Sequence, residues 1–239
     1  ERYYLRGAGA LVHKIIRMDN DKDRLKDIRT SLTHLLNDIM VTDRLFEIFN
    51  SKDISGSEQA SIDSVEKRSR SQNSTGEKVM RKAIHNLLSH KVDKFIKVDS
   101  LMHILPLAVL CLIVRKSQPE NGDAPHLFVS SVVDCGNKPS QLRRESKRSF
   151  ATAHKQIEIA LRTEGEKLLE DRETDTKQKI IKAAVSGVKG YYPRSAASIG
   201  FLNAPSGVRH HVLKDPLINA LVMAEIPSEE EEITLDDFC

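Results

Sequence analysis

The sequence predicts an α+β protein, with a helical N-terminal portion followed by a mixed domain that contains a sheet. Three observations carry that expectation. Apolar residues recur at helical spacing from Leu25 to Ile39 and again from Met80 to Phe95. From Leu101 the pattern changes to dense runs of Val, Leu and Ile separated by turn residues, which suits buried strands. The chain has 239 residues, 39% hydrophobic and 30% charged, enough to bury a core and keep a solvated surface. Aromatic residues make up only 5% and Trp is absent, which argues against ring-dependent folds such as immunoglobulin sandwiches and carbohydrate-binding modules.

The first helix is marked by Leu25, Ile28, Leu32, Leu35, Leu36 and Ile39 on one stripe. Asp19, Asn20 and Asp21 supply acceptors for the orphan amides at its start. A second stretch, Arg44 to Phe49, continues or follows it, and residues 1–50 form an amphipathic helical segment. Residues 51–76 are Ser-rich with few large apolar groups and read as a linker. The linker ends in Ser74-Thr75-Gly76-Glu77, a capping-box spacing. The helix it opens carries Met80, Ile84, Leu87, Leu88, Val92 and Phe95.

A main α+β domain is expected over residues 77–225, followed by an acidic tail at 226–239. Leu107 to Val114 reads as one buried strand, begun by Pro106, and Leu127 to Val133 as another. The apolar run Leu101 to Val114 is shorter than the roughly 20 residues a bilayer span needs, so it reads as a core or interfacial element. Residues 140–170 fit either a strand, through Ile157, Ile159 and Leu161, or a helical stripe through Leu142, Ser146, Ala153, Ile157, Leu161 and Leu168. A further helix is expected at Asp175 to Ser186, stopped by Gly187, and the remainder reads as irregular.

The chemistry of the chain points away from catalysis. No phosphate-binding loop with a trailing Lys is present, and Gly7-Ala8-Gly9 lacks the third glycine of a dinucleotide fingerprint. His85 and His90 are five apart and His210 and His211 adjacent, neither a convergent zinc spacing. Cys135 and His154 have nothing in the sequence to bring them together, and Asp134 reads as a turn cap. No catalytic residue, metal ligand or cofactor is therefore expected. Cys111, Cys135 and Cys239 are an odd number without paired spacing, which suits a reducing, intracellular compartment.

Charge is the most informative feature. Lys138, Arg143, Arg144, Lys147, Arg148 and Lys155 fall in a short segment opposed only by Glu145. Gln141, Ser146, Ser149 and Thr152 are interleaved and can donate to phosphate oxygens. Such a ridge neutralises phosphates and releases counterions, giving salt-sensitive, sequence-independent binding of nucleic acid. Phe150 is the one ring in the segment for base stacking, so backbone grip is expected in place of base readout. Ser146 and Ser149 also stand in basophilic phosphorylation contexts. Six acids, Glu229 to Glu232 with Asp236 and Asp237, sit near the end; setting them aside from a net +3 leaves a body of +9. A basic body with an acidic tail suggests a polyanion ligand and an intramolecular mimic of it, or a tail that merely solubilises.

The order of segments from Leu105 onward resembles the 30K superfamily of plant-virus movement proteins. The resemblance lies in Leu105-Pro106-Leu107-Ala108-Val109-Leu110 read as a strand, then a loop, then Phe128 to Val133 ending in Asp134 as a comparable strand, then Ser149 to Ala153 leading into Gln156 to Ile159. Gly187-Val188-Lys189-Gly190 and Ser195 to Ile199 complete it. A competing similarity, through Gly190-Tyr191-Tyr192-Pro193, Ser195 and Ala197, is to nucleoproteins of negative-strand RNA viruses. Both imply a non-enzymatic viral protein in the host cytoplasm that binds single-stranded nucleic acid, RNA favoured. The first implies peripheral contact with membranes. A matrix-type structural protein that self-associates through helices 20–40 and 77–97 is the alternative.

Overall fold

The computed structural model describes residues 11–12, 14–16, 19, 21–37, 75–118, 127, 129, 141–171, 173–204 and 207–227. Its long helices are α1 Lys22–Asn37, α2 Thr75–Ser89, α3 Lys94–Lys116, α4 Gln141–Leu168, α5 Thr174–Ser198 and α6 Asp215–Glu225. Among the described residues there is no strand; the β pairing consists of one isolated antiparallel bridge between Leu202 and His211. The expected α+β class is thus overturned: the described chain is helical.

The physical reason is clearest in α3. Its apolar run contains both the expected strand and Pro106, and all of it is helix. A continuous Val-Leu-Ile run has no period-2 polar face, so it suits a buried helix as well as a strand. Pro106 removes one backbone donor, and a helix of 23 residues absorbs that loss within its length. Asp93 caps the start, its Oδ1 accepting the Phe95 amide at 2.8 Å. The same helix is the one among the described residues long and apolar enough to cross a membrane by length and composition. The 14-residue limit read from the sequence therefore understates the element. Leu101, Ile104, Val109, Leu110, Leu112 and Val114 are nevertheless buried within the protein. Of the second expected strand only Leu127 and Val129 are described, neither in a strand; the rest, with Asp134 and Cys135, lies outside the described residues.

The chain divides into two compact units. One comprises residues 2–105 with 219–239, the other essentially residues 106–218. In the first, α1 packs on α2. Ile28 and Leu35 are buried on α1, and Met80, Ile84, Leu87 and Leu88 on α2, as the two stripes predict. Asp21 Oδ1 accepts the Arg24 amide at 3.0 Å and caps α1. Asp19 is tied to the Arg24 guanidinium by two contacts of 2.6 Å, and the buried Arg81 lies 3.7 Å from it and donates to the Ile15 carbonyl. The second stripe ends earlier than expected, because α2 stops at Ser89 and leaves Val92 and Phe95 exposed. Asn86 donates to the Ala224 carbonyl, and His90 bonds the carbonyls of Met223 and Ile226, holding the end of α6 on α2.

In the second unit α4 packs along α5. Residues 140–170, open between strand and helix, form one helix from Gln141 to Leu168. A Cβ on Gly165 would lie 2.9 Å from Ile181 Cγ1, so the helices meet there at a distance only glycine allows. Helix α5 runs through Gly187, expected to stop it, and through Pro193, and ends at Ser198. Its true stop is Gly200, φ 78°, where the Phe201 amide bonds the Ala196 carbonyl and the Gly200 amide bonds Ala197. Tyr192 and His211 are fully buried and bonded to each other at 3.0 Å. Phe201 stacks on His211 at 4.9 Å, and Phe150 meets it edge-on.

Candidate nucleic-acid interface

Helix α4 is amphipathic, and its two faces have opposite tasks. Ser146, Phe150, Ala153 and Ile157 recur at steps of four, three and four and form its buried seam. The seam is fastened by Ser146, whose hydroxyl donates to the His211 carbonyl at 2.8 Å. With that seam inward, Arg143, Arg144, Lys147, Arg148 and Lys155 are all exposed. At 3.6 residues per turn they fall within roughly 140° of the helix circumference, on one side of the axis. Arg144, Arg148 and Lys155 are four and seven apart and share one stripe, with Arg143 and Lys147 between that stripe and the seam. Lys138 lies outside the described residues.

The cations differ in how far the protein itself engages them. Arg148 donates to Glu145 at 2.8 Å, an exposed pair one turn apart, and such a pair opens readily to a stronger ligand. Arg143 is also engaged within the protein. Arg144, Lys147 and Lys155 have no carboxylate of a described residue within ion-pair distance. Beyond Lys155 the ridge ends, because Glu158 accepts from Lys189 at 2.6 Å and from Arg162 at 2.9 Å. Those two cations, Lys189 first, hold the Glu158 carboxyl below the usual glutamate range.

The position of the ridge adds to its field. The first turn of α4 contains no acidic residue. Arg143 and Arg144 stand instead in that first turn, at the positive end of the helix macrodipole, where cations are disfavoured by about 0.3–1 kcal/mol each. An anion seated there would meet side-chain charge and helix dipole of the same sign.

Several sequence expectations are redirected by this geometry. Phe150, the one ring the segment offers for base stacking, is buried and packs between His154, Tyr192 and His211. Ser146 is fully buried, so its hydroxyl is closed to a kinase. Tyr192, in the segment of residues 190–193, is fully buried, and burial raises the pKa of its hydroxyl. Both rings serve the core. What the sequence did not reveal is Arg209, whose guanidinium lies over the Phe150 ring at 5.9 Å. It comes from the connection before α6, some sixty residues away, and no local pattern marks it. The histidine pairs are also separated in role: His85 faces Asp27 at 3.8 Å, His90 bonds carbonyls, and His211 is core.

No family model, no curated protein and no solved structure matches this chain.

Proposed function

We propose that the chain is a non-enzymatic nucleic-acid-binding protein that grips phosphates through the outer face of α4. The single observation supporting this is the one-sided row of exposed cations running from the first turn to the middle of a helix whose seam is locked into the core. Counterion release supplies the affinity of such a row, and phosphate contacts carry no sequence information, so binding is independent of base identity. Single strands, RNA favoured, are the proposed ligand, and a viral setting belongs to the same proposal through the two resemblances, of which the first takes residues 105–110 as a strand, a run that is helix. Affinity for an unstructured oligonucleotide, measured by anisotropy across salt concentration, tests it. Binding that weakens steeply with salt supports the reading. Binding absent at low salt ends it.

A second reading, self-association of a matrix-type protein, is favoured by one observation. Phe95 and Met102 are seven residues apart on α3, hence on one face, and are 63% and 66% exposed. That reading expects oligomers that persist in high salt and disperse on Phe95→Ser. Sedimentation would separate the two.

A further inference from the structure

Between α1, α2 and the start of α3 lies an open groove, in the unit of residues 2–105 and 219–239. Its larger part has a volume of about 420 Å³. The floor is apolar, from Leu35, Leu88 and Val92, and its rim carries His34, Lys94 and Lys97. Lys97 Nζ donates to the Leu88 carbonyl at 2.8 Å, which places that charge over the end of α2. Asp93 is the one acid on this part of the rim, and it is engaged in capping α3.

The end of α6 is fastened beside this groove. His90, two residues before Val92, holds the carbonyls of Met223 and Ile226 at 2.9 and 2.8 Å. From there the sequence continues Ser228-Glu229-Glu230-Glu231-Glu232-Ile233-Thr234-Leu235-Asp236-Asp237-Phe238-Cys239. That stretch has the complement of the groove: acids for its cationic rim, and Ile233, Leu235 and Phe238 for its apolar floor. Twelve residues extend to about 40 Å, and consecutive residues 90–92 separate the anchor from the floor, so reach is not limiting. A short tether also gives a local concentration in the millimolar range, enough for weak contacts to be occupied.

We infer that residues 228–239 dock in the groove between α1, α2 and the start of α3, their glutamates on Lys94 and Lys97 and their apolar residues on Leu35, Leu88 and Val92. The inference is independent of the nucleic-acid reading, since it uses neither α4 nor any ligand. It assigns the acidic segment a place on its own unit, distinct from the ridge on α4.

Zero-length carbodiimide coupling of the full chain tests it, because it joins a carboxylate to a lysine only at ion-pair distance. An equal mixture of unlabelled and nitrogen-15-labelled chains reports whether each link lies within one molecule. The expected result is links from Glu229 to Glu232 onto Lys94 and Lys97, between like-labelled halves, exceeding links onto Lys147 and Lys155 by about tenfold. Links on the α4 lysines at least as frequent as those on Lys94 and Lys97, links scattered evenly over many lysines, or links predominantly joining unlike-labelled halves would each overturn it. Hydrogen exchange gives a second reading on the folded chain. Replacing all four residues, Glu229→Gln through Glu232→Gln, should speed exchange at residues 91–97 about fivefold by weakening several surface pairs together; unchanged exchange there contradicts the docking.

Discussion

Asp19 shows how a single carboxylate organises one end of the first unit. It accepts from Arg24 Nε and Nη2 at 2.6 Å each and faces the buried Arg81. Bonding to Arg24 is the largest influence and keeps the carboxyl below its ordinary 3.8, against the opposing effect of burial. A depressed native value means the contribution to stability is complete above 3.8 and declines as pH falls from there through the lowered value. Asp19→Asn should therefore cost about 2–3 kcal/mol at neutral pH, as expected for removing one partner of a buried charge cluster, and the gap to the parent chain should shrink in acid. Urea denaturation at pH 7 and pH 3 checks both parts. Gly200 is decisive in a different way, through backbone geometry. At φ 78°, with Lys214 Cβ 3.0 Å from where a Cβ would stand, Gly200→Ala should cost about 1–2 kcal/mol, read as a lowered urea midpoint.

Among the elements, α4 and α5 depend on the close approach at Gly165. An alanine would gain helix propensity but drive its methyl into Ile181, a stiff β-branched residue that is itself buried. Gly165→Ala is expected to lower stability by about 1–3 kcal/mol through overpacking, with a lower thermal midpoint as the readout. Elements were also where the sequence was most and least legible. The stripes of α1 and α2 were plain because each helix has one polar face, so periodicity alone separates inside from outside. In α3 that contrast is absent: nearly every side chain from Leu101 to Val114 is apolar, and the same residues satisfy a strand or a helix. Pro106 suits the start of a strand and Pro193 falls in the stretch that reads as irregular, yet both sit inside helices whose length tolerates one missing donor. In α5, Gly187 carried the signal of a stop that Gly200 supplies, because a helical glycine and a capping glycine look alike until φ is known. The basic residues of α4 were legible as a cluster from their number. That they share one face required the seam of Ser146, Phe150, Ala153 and Ile157 to be fixed by partners such as His211, distant in the sequence.

For the molecule as a whole, charge distribution carries more meaning than charge total. A net +3 is unremarkable, but it divides into a basic body and a terminal segment with six acids. Each compact unit then presents one polar feature of its own: the cation row on α4 in one, the groove beside α2 in the other. The central claim is that the row on α4 binds phosphates, and salt dependence of single-strand binding tests it most directly. With four to five phosphates neutralised, log affinity against log salt should fall with a slope of about −3. The variant Arg144→Gln, Lys147→Gln, Lys155→Gln should flatten that slope by about 2 while leaving the urea midpoint unchanged. A slope near zero for the parent chain, or a variant whose slope matches the parent's, would contradict the account.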